Sequence, residues 1–348
     1  MNARTSFLRA GTALSALALL LAGCSSASGS AESSESGDQS GAADGPTIAV
    51  SARTTDSDFY TLWLSGVKSE AEKLGATLTI YDANGDDSQQ ILDLQSARAT
   101  SPDAILVDHG LEGITPAAVE ALDAGIPLVS FDSVIDDDRV ITVSQSDHDL
   151  ADLAGNKLVD DAGGTADVIY VYVAGFAPLD LRNEKWTEIK EQNPGINEVA
   201  QIGVVNESTV VQVAEQAKAS LQENPSVTAI FAPFDDFAKG ASQAVRELGL
   251  EDTVKVYGAD ISDADIAVLT EDDSPWVATA TTDPSNVGAV SLRTAYLAAT
   301  GDAPEDDVLI PPALVTGEEL RDQGITTVSE LVDAFPDLRT DDISAVTK

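Results

Sequence analysis

Residues 47–60 read TIAVSARTTDSDFY, and residues 61–75 continue as TLWLSGVKSEAEKLG. The small and β-branched apolar residues at the start are typical of a buried strand, and the apolar residues from Phe59 to Leu74 recur at helical spacing. Gly75 follows directly, where a helix C-terminus favours a left-handed residue. The stretch is therefore predicted to form one strand, Ile48–Arg53, and one helix, which together are the unit of a parallel sheet.

The same alternation of short apolar runs and longer amphipathic segments continues along the chain. Further strands are predicted at Thr77–Asp82, Ala104–Asp108, Pro127–Phe131, Val168–Val173, Val199–Val204, Ala229–Ala232, Val254–Gly258 and Val277–Thr281. The helices predicted between them are Ser88–Ala99, Pro116–Ala124, Asp147–Asp161, Ser208–Gln222, Phe234–Leu248 and Ser285–Ala299. Because these strands exceed what one doubly wound sheet usually holds, an α/β fold of two Rossmann-like lobes is predicted. Each lobe is expected to be a mostly parallel sheet flanked by helices.

The N-terminus has the features of an export signal. Arg4 and Arg9 precede the apolar run Ala10–Ala22, which is shorter than the about 20 apolar residues that span a bilayer as a helix. Residues 1–23 are therefore predicted to be a signal peptide. The four residues that end at Cys24, LAGC, resemble a bacterial lipobox. That resemblance implies lipidation of Cys24 and a position on the outer face of the cell membrane, as on the surface of a Gram-positive bacterium; a secreted protein without lipid is the alternative.

Composition limits the possible partners. Residues 25–45 consist almost wholly of Ser, Ala, Gly, Glu, Asp and Gln, so Cys24 is predicted to be followed by a flexible tether. The chain carries a formal net charge of −40 at pH 7. A surface of this sign repels phosphate backbones and anionic lipid heads, so nucleic-acid binding is not expected and membrane contact is expected through the lipid alone. Cys24 is the single cysteine, and no internal disulfide can form.

The motifs of nucleotide-binding and catalytic α/β proteins are missing. After the first strand, residues 54–59 read TTDSDF, which has no glycine cluster to admit a pyrophosphate and two carboxylates to repel it. Gly-x-Ser-x-Gly and His-Glu-x-x-His do not occur, and the histidines are His109 and His148. We therefore expect no catalytic residue, no metal and no cofactor. A glycosidase with an aspartate pair remains an alternative, because the chain has 59 acidic residues.

Polar and aromatic side chains follow the predicted strands. Ligands of open α/β sheets bind outside the carboxyl ends of the strands, and these ends hold Ser57, Phe59, Tyr60, Asp108, His109, Asp132, Ser133, Asp180, Arg182, Phe234, Asp235, Asp236, Asp260, Thr282 and Asp283. Carboxylates accept hydrogen bonds from vicinal hydroxyls, and aromatic rings cover the C–H faces of a sugar ring. The set indicates a small polyhydroxylated or amine-bearing solute.

Several of these segments are similar to one known family. The stretch 47–75 resembles, without gaps, the opening of the ribose-type periplasmic sugar-binding proteins, and further matches follow in the same order. They are GIPLV at 125–129 leading to Asp132, Arg182 before Trp186, NPSVTAIFA at 224–232 leading to Asp235, and VYGAD at 256–260. The resemblance covers about residues 47 to 301.

The resemblance implies a non-enzymatic receptor of type I periplasmic binding protein architecture. Two lobes would close on one solute like a hinged trap, joined by crossings near Ser144–Asp147, Thr281–Asp283 and Val308–Pro312. The N-terminal lobe would comprise residues 46–145 and 283–308, and the C-terminal lobe residues 146–282 and 309–348. A monomer is expected to deliver its solute to the permease and ATPase of an ABC importer.

The family's binding residues carry over onto particular positions of this chain. Phe59 and Tyr60 match the aromatic pair that packs on the sugar, and Asp132 and Asp260 match carboxylates that bind its hydroxyls. Further ligand-binding positions are implied at Ser57, His109, Ser133, Asp180, Phe234, Asp235 and Thr282. The ribose pattern has Asn at positions 57, 109 and 234, Arg at 133 and 180, and Gln at 282. Because two arginines are lost and an aspartate is gained, ribose itself is not the expected ligand.

The expected roles of two arginines and one alternative function complete the interpretation of the sequence. Arg53 is brought to the cleft by the resemblance, and Arg182 is expected to stabilise its lobe through an ion pair. The alternative to import is a sensory receptor of the same fold, for a sugar-like signal such as autoinducer-2 or for an amine-bearing solute.

Overall fold

The structure is a computed structural model that describes residues 45–55, 57–133 and 135–346. The predicted signal peptide, the lipidation site Cys24 and nearly all of the tether lie outside the described residues. Among the described helices, none has both the length and the apolar character that a bilayer crossing requires.

The secondary structure alternates between strands and helices. The strands are β1 Thr47–Ala52, β2 Thr77–Asp82, β3 Ala104–Asp108, β4 Leu128–Phe131, β5 Ile141–Gln145, β6 Ala166–Val171, β7 Ile196–Ile202, β8 Val227–Ala232, β9 Lys255–Ala259, β10 Trp276–Thr281, β11 Val308–Ile310 and β12 Ala313–Thr316. The helices are α1 Asp58–Leu74, α2 Asp87–Ala99, α3 Thr115–Asp123, α4 Asp147–Asp161, α5 Ala177–Gln192, α6 Thr209–Glu223, α7 Asp235–Leu248, α8 Asp263–Leu269, α9 Pro284–Thr300, α10 Gly317–Gln323 and α11 Val328–Ala334, with short 3-10 turns at Glu112–Ile114 and Pro336–Leu338.

The strands form two sheets, one in each lobe. The first has the order β11-β5-β4-β3-β1-β2, with every neighbouring pair parallel. The second has the order β12-β10-β9-β8-β6-β7, and its β10–β12 pair is antiparallel while the others are parallel. Buried apolar clusters lie on both faces of each sheet, beneath the flanking helices. The predicted α/β fold of two lobes is confirmed.

Several elements were not predicted. Strand β5 reads ITVSQ, in which polar residues interrupt the apolar ones. Strands β11 and β12 have three and four residues and are edge strands that need only one neighbour. Helices α8, α10 and α11 have seven residues each, too few for a helical periodicity to show. The helix predicted to begin at Phe234 begins at Asp235, with Phe234 as its N-cap.

Helices α1 and α9 pack very closely in the N-terminal lobe. A Cβ atom added at Gly66 would lie 1.9 Å from the backbone oxygen of Ser285, and one added at Gly288 would lie 2.0 Å from the backbone oxygen of Trp63. Only glycine permits this approach. Because α9 follows the second crossing between the lobes, this contact holds the N-terminal half of α1, which also contains Phe59, against the start of α9.

The chain passes between the sheets at three places, after β5, after β10 and between β11 and β12. Beyond Leu338, which is buried in the C-terminal lobe, the chain returns to α9. The guanidinium of Arg293 donates to the backbone oxygens of Thr340 at 2.7 Å and Ile343 at 3.1 Å. Residues 340–344 therefore contact the N-terminal lobe, although they fall in the range 309–348 expected for the other lobe.

Candidate ligand-binding site

A cleft of about 580 Å³ lies between the two lobes, at the carboxyl ends of both sheets. Its lining residues are Arg53, Phe59, Tyr60, His109, Asp132, Gln145, Phe176, Pro178, Leu179, Arg182, Val205, Phe234 and Asp260. The lobes meet at its margin. Leu62 of α1 packs against the apolar core of the C-terminal lobe, and Lys239 Nζ lies 3.1 Å from Asp58 Oδ2 across the interface.

Aromatic rings form one part of the N-terminal wall. Ser57 caps α1 by accepting a hydrogen bond from the backbone N–H of Tyr60 at 3.3 Å, and this places Phe59 and Tyr60 in the first helical turn. Phe59 stacks on Phe131 with ring centroids 6.3 Å apart, and Tyr60 meets His109 edge-to-face at 4.8 Å. Burial, with Asp108 adding to it, raises the pKa of Tyr60 well above its ordinary value. Tyr60 is therefore a neutral hydroxyl beside the cleft.

Three site residues have left-handed backbones directly after their strands. The φ angles are 47° at His109 after β3, 45° at Asp132 after β4 and 69° at Asp260 after β9. A non-glycine residue is uncommon in this region, and such conformations concentrate at functional sites, where the surrounding structure holds them. The repeated conformation turns three strand-end side chains toward the same cleft.

The carboxylate of Asp132 is buried without a hydrogen-bond partner. The residue is 6% exposed, and within the described part of the chain neither Oδ1 nor Oδ2 has a partner. His109 Nε2 lies 3.7 Å from Oδ2. Burial, reinforced by the charge of Asp147, raises the pKa of Asp132 well above its ordinary value. An unpaired buried acceptor of this kind favours a ligand that donates hydrogen bonds.

His109 lies between two acids. Its Nδ1 is hydrogen-bonded to Asp108 Oδ1, and its Nε2 faces Asp132. Burial lowers the pKa of His109, but the two carboxylates outweigh burial and the net shift is upward. The imidazole is thus biased toward its cationic form in the N-terminal wall.

The C-terminal wall holds a completed ion-pair network. Arg182 is 2% exposed. Its Nη1 and Nη2 donate to Asp260 Oδ2 and Oδ1 at 2.7 and 3.1 Å, its Nε donates to Asp147 Oδ1 at 2.7 Å, and Nη1 also reaches the backbone oxygen of Pro233 at 2.8 Å. Burial opposes the charge of Arg182, but Asp260 and Asp147 raise its pKa above the ordinary value. The expected ion-pair role of Arg182 is present, and the residue also lines the cleft.

An apolar surface completes the C-terminal wall. It consists of Phe176, Pro178, Leu179, Val205 and Phe234. The guanidinium of Arg53 lies 5.5 Å from the ring centroid of Phe176, and its Nε is bonded to Asp87 Oδ1 at 3.0 Å. The contact between Arg53 and Phe176 joins the two lobes at the edge of the apolar surface.

The structure brings six of the sequence-predicted ligand residues into the cleft lining: Phe59, Tyr60, His109, Asp132, Phe234 and Asp260. The others support neighbouring loops. Ser57 caps α1, Ser133 Oγ accepts from Gly110 N at 2.7 Å and donates to Phe131 O at 3.0 Å, and Asp180 accepts from Tyr172 Oη at 2.6 Å. Asp235 lies 3.6 Å from Lys239 Nζ, and Thr282 donates to Gln145 Oε1 at 2.5 Å.

Sequence reasoning did not select Gln145 or most of the apolar surface. Gln145 ends the unpredicted strand β5. Phe176, Pro178 and Leu179 follow β6 at the start of α5, so the strand-end rule would have found them had it included apolar residues. Val205 lies in the loop after β7.

Residues 48–303 match the family model described as a periplasmic binding protein domain. The chain belongs to this family. The Ribose import binding protein RbsB of Bacillus subtilis is 27% identical over 252 residues, which are 72% of this chain and 80% of that protein. The D-apiose import binding protein of Actinobacillus succinogenes is 28% identical over 228 residues, 64% of this chain and 72% of that protein.

Solved structures extend the comparison with this periplasmic binding protein. A 5-methylthioribose transporter solute binding protein from Thermotoga lettingae, in complex with 5-methylthioribose, has a TM-score of 0.82 and 39% identity, covering 85% of this chain and 95% of that one. A sugar ABC transporter protein from Yersinia enterocolitica has a TM-score of 0.81 and 30% identity, covering 86% and 92%. The predicted ribose-type family is confirmed, and so is the prediction that the chain is not an enzyme. It is a solute-binding protein of the kind that serves sugar ABC transporters.

Proposed function

We propose that this protein is a lipid-anchored, extracytoplasmic receptor that captures a pentose with an apolar substituent, of the 5-methylthioribose type, and delivers it to an ABC permease. One observation carries the proposal. One wall of the cleft holds a buried carboxylate that has no hydrogen-bond partner among the described residues, and the other wall holds an apolar surface.

The polar half of the cleft suits the hydroxyls of a sugar ring. Neither oxygen of Asp132 has a hydrogen-bond partner in the part of the chain that the structure describes, and a carboxylate has about four lone-pair sites in all. Asp260 keeps acceptor capacity beyond its bonds to Arg182 and Gln145. The rings of Phe59 and Tyr60 supply faces for the sugar C–H groups. These groups support recognition of vicinal hydroxyls from both lobes.

The apolar half favours a substituent over a free hydroxymethyl group. Phe234 stands where the ribose pattern has Asn, and Asp180, which stands where that pattern has a ligand-binding Arg, bonds to Tyr172 away from the lining. A hydroxyl buried against Phe176, Leu179 and Phe234 would lose its water without gaining a partner. A methylthio group would gain about 0.8 kcal/mol for each buried carbon instead. The 39% identity to the 5-methylthioribose-binding protein supports the same ligand class.

The importer role is supported by the names of the relatives, which are import binding proteins. This favours import over the sensory alternative. The resemblance of residues 21–24 to a lipobox supports anchoring, and the Ser-, Gly- and acid-rich composition of residues 25–45 is typical of a spacer. Mass spectrometry of the N-terminal peptide from membranes should find a lipidated Cys24, and Cys24→Ser should release the protein from the membrane fraction.

A thermal-shift screen followed by calorimetry tests the ligand class. The panel comprises 5-methylthioribose, ribose, galactose, myo-inositol and spermidine, because a ligand that binds the folded state raises its melting temperature. We expect 5-methylthioribose to bind more tightly than ribose, and spermidine not to bind. Tighter binding of ribose would overturn the apolar-substituent proposal, and binding of spermidine alone would overturn sugar binding altogether.

A further inference from the structure

Gln145 connects the binding cleft to the crossings between the lobes. It ends β5 at the first crossing, is 2% exposed and lines the cleft. Its Nε2 donates to Asp260 Oδ1 at 3.3 Å, and its Oε1 accepts from Thr282 Oγ1 at 2.5 Å. Thr282 belongs to the second crossing, and Asp260 belongs to the C-terminal lobe. One side chain of the N-terminal sheet therefore contacts both.

The orientation of the Gln145 amide follows from its partners. Asp260, as the ion-pair partner of Arg182, offers only acceptor atoms. The NH2 group of Gln145 must therefore face Asp260, which turns its carbonyl oxygen to Thr282. The Thr282 hydroxyl must then donate its proton to that oxygen. Changing Thr282 removes the donor that fixes the amide, although Thr282 itself does not line the cleft.

Arg182 links Asp260 back to the first crossing. Asp260 is bonded to Arg182, and Arg182 is bonded to Asp147, which begins α4 two residues after Gln145. Asp260 is thus held by groups from both sides of the first crossing. Its bond to Gln145, at 3.3 Å, is longer than the usual 2.9–3.0 Å. Because this bond joins the N-terminal sheet to the C-terminal lobe, its length depends on the angle between the lobes.

We infer that Gln145 is a positioning residue that couples occupancy of the cleft to closure of the lobes. A solute hydroxyl that donates to Asp260 stabilises the carboxylate in the orientation that Gln145 also bonds, so binding and closure favour the same arrangement. Thr282 acts in this coupling only through Gln145. The inference rests on the proposed function in one respect, that a solute binds at Asp260.

Two variants that remove hydrogen-bonding groups test this coupling. Gln145→Leu removes the donor to Asp260, and Thr282→Val removes the hydroxyl that orients the amide. Titration calorimetry with 5-methylthioribose should show about tenfold or greater weakening for Gln145→Leu, as for loss of a hydrogen bond to a charged group, and a smaller weakening for Thr282→Val. Small-angle X-ray scattering should show less compaction on binding in both. The double variant should bind no more weakly than Gln145→Leu, because Thr282 acts through the same contact.

Gln243→Leu is the matched control. Gln243 also donates from its amide to a carboxylate, Glu247 Oε1 at 2.8 Å, but on the exposed face of α7. It should keep wild-type affinity and compaction. Wild-type affinity in Thr282→Val, or additive losses in the double variant, would overturn the inference. If Gln145→Leu does not fold, Thr282→Val alone decides, since it preserves side-chain volume.

Failure of the proposed function gives a different experimental result from failure of the inference about Gln145. If wild-type protein binds no sugar of the panel, the proposed function is wrong. The hydrogen bonds of Gln145 to Thr282 and Asp260 are then tested by hydrogen–deuterium exchange of the ligand-free protein. Thr282→Val should then increase exchange in the peptide that contains Asp260, relative to wild type and Gln243→Leu. Equal exchange in all three would overturn the role of Gln145.

Discussion

The two walls of the cleft differ in whether their buried charged groups are paired. In the C-terminal wall, Asp260 and Asp147 are paired with Arg182, so each buried charge has a partner at 2.7 Å. In the N-terminal wall, both oxygens of Asp132 are buried without a hydrogen-bond partner among the described residues. Buried charges are costly unless paired. The comparison indicates that the C-terminal wall is complete without ligand, whereas the N-terminal wall is completed by one.

The largest expected effect comes from removing the guanidinium of Arg182, the cation of the ion-pair network in the C-terminal wall. Arg182→Met leaves Asp147 and Asp260 buried and uncompensated, and should lower the free energy of unfolding by about 3–5 kcal/mol. Chemical denaturation of the ligand-free protein measures this. Arg139→Met, which removes an exposed arginine paired with Asp137 and Asp123, is the control and should have little effect. Equal losses in the two variants would show that the buried network is not stabilising.

Asp132→Asn should separate stability from binding. The variant loses a charged acceptor, so affinity for 5-methylthioribose should fall by about 1–3 kcal/mol in calorimetry. The ligand-free protein should become more stable at neutral pH. Because the pKa of Asp132 is raised in the folded state, wild-type stability falls as pH increases from the unfolded carboxyl pKa, about 3.9, toward the folded value. Asn removes that part of the pH dependence. Loss of stability at neutral pH in Asp132→Asn would contradict the unpaired state of the carboxylate.

The apolar surface should control the choice between sugars. Phe234→Asn restores the residue of the ribose pattern and should weaken 5-methylthioribose by about 1–3 kcal/mol while leaving ribose unchanged or tighter. Competitive calorimetry with both sugars gives the ratio, which serves as its own control for general damage to the cleft. An unchanged ratio would remove Phe234 from the specificity of the site.

The smallest expected effect is a pH dependence from His109. The two neighbouring acids raise the pKa of His109 in the folded state despite its burial. Its contribution to stability is therefore complete below the unfolded pKa of about 6.5 and is lost as pH rises through the folded value. Melting temperatures of the ligand-free protein across this window should decline more in wild type than in His109→Asn. His148→Asn, which removes an exposed imidazole outside the cleft lining, controls for loss of a histidine; identical profiles in wild type and His109→Asn would contradict this prediction.

The sequence predicted the lining residues of the N-terminal wall more completely than those of the C-terminal wall. His109 and Asp132 directly follow the buried strands β3 and β4, and Phe59 and Tyr60 lie in the first turn of α1, where the strand-end rule applies without knowledge of packing. Ser133 satisfies the same rule but bonds to Gly110 and Phe131 instead. The rule locates a loop at the cleft edge, while the backbone angles of that loop decide which of its side chains faces the ligand.

The alternation of strands and helices, and thus two α/β lobes, followed from the sequence by itself, because hydrophobic periodicity is a local property of the chain. The polar strand ends followed from their position after the predicted strands, and the family followed from the resemblance of segments such as residues 47–75 to the ribose-type binding proteins. Only the tertiary structure decided that Arg182 joins Asp147 to Asp260, that Asp132 has no hydrogen-bond partner among the described residues, and that Gln145 links the cleft to two crossings. The bonds of Arg182 join separate segments of one lobe and depend on packing, whereas the bond from Gln145 to Asp260 joins the two lobes and depends also on the angle between them.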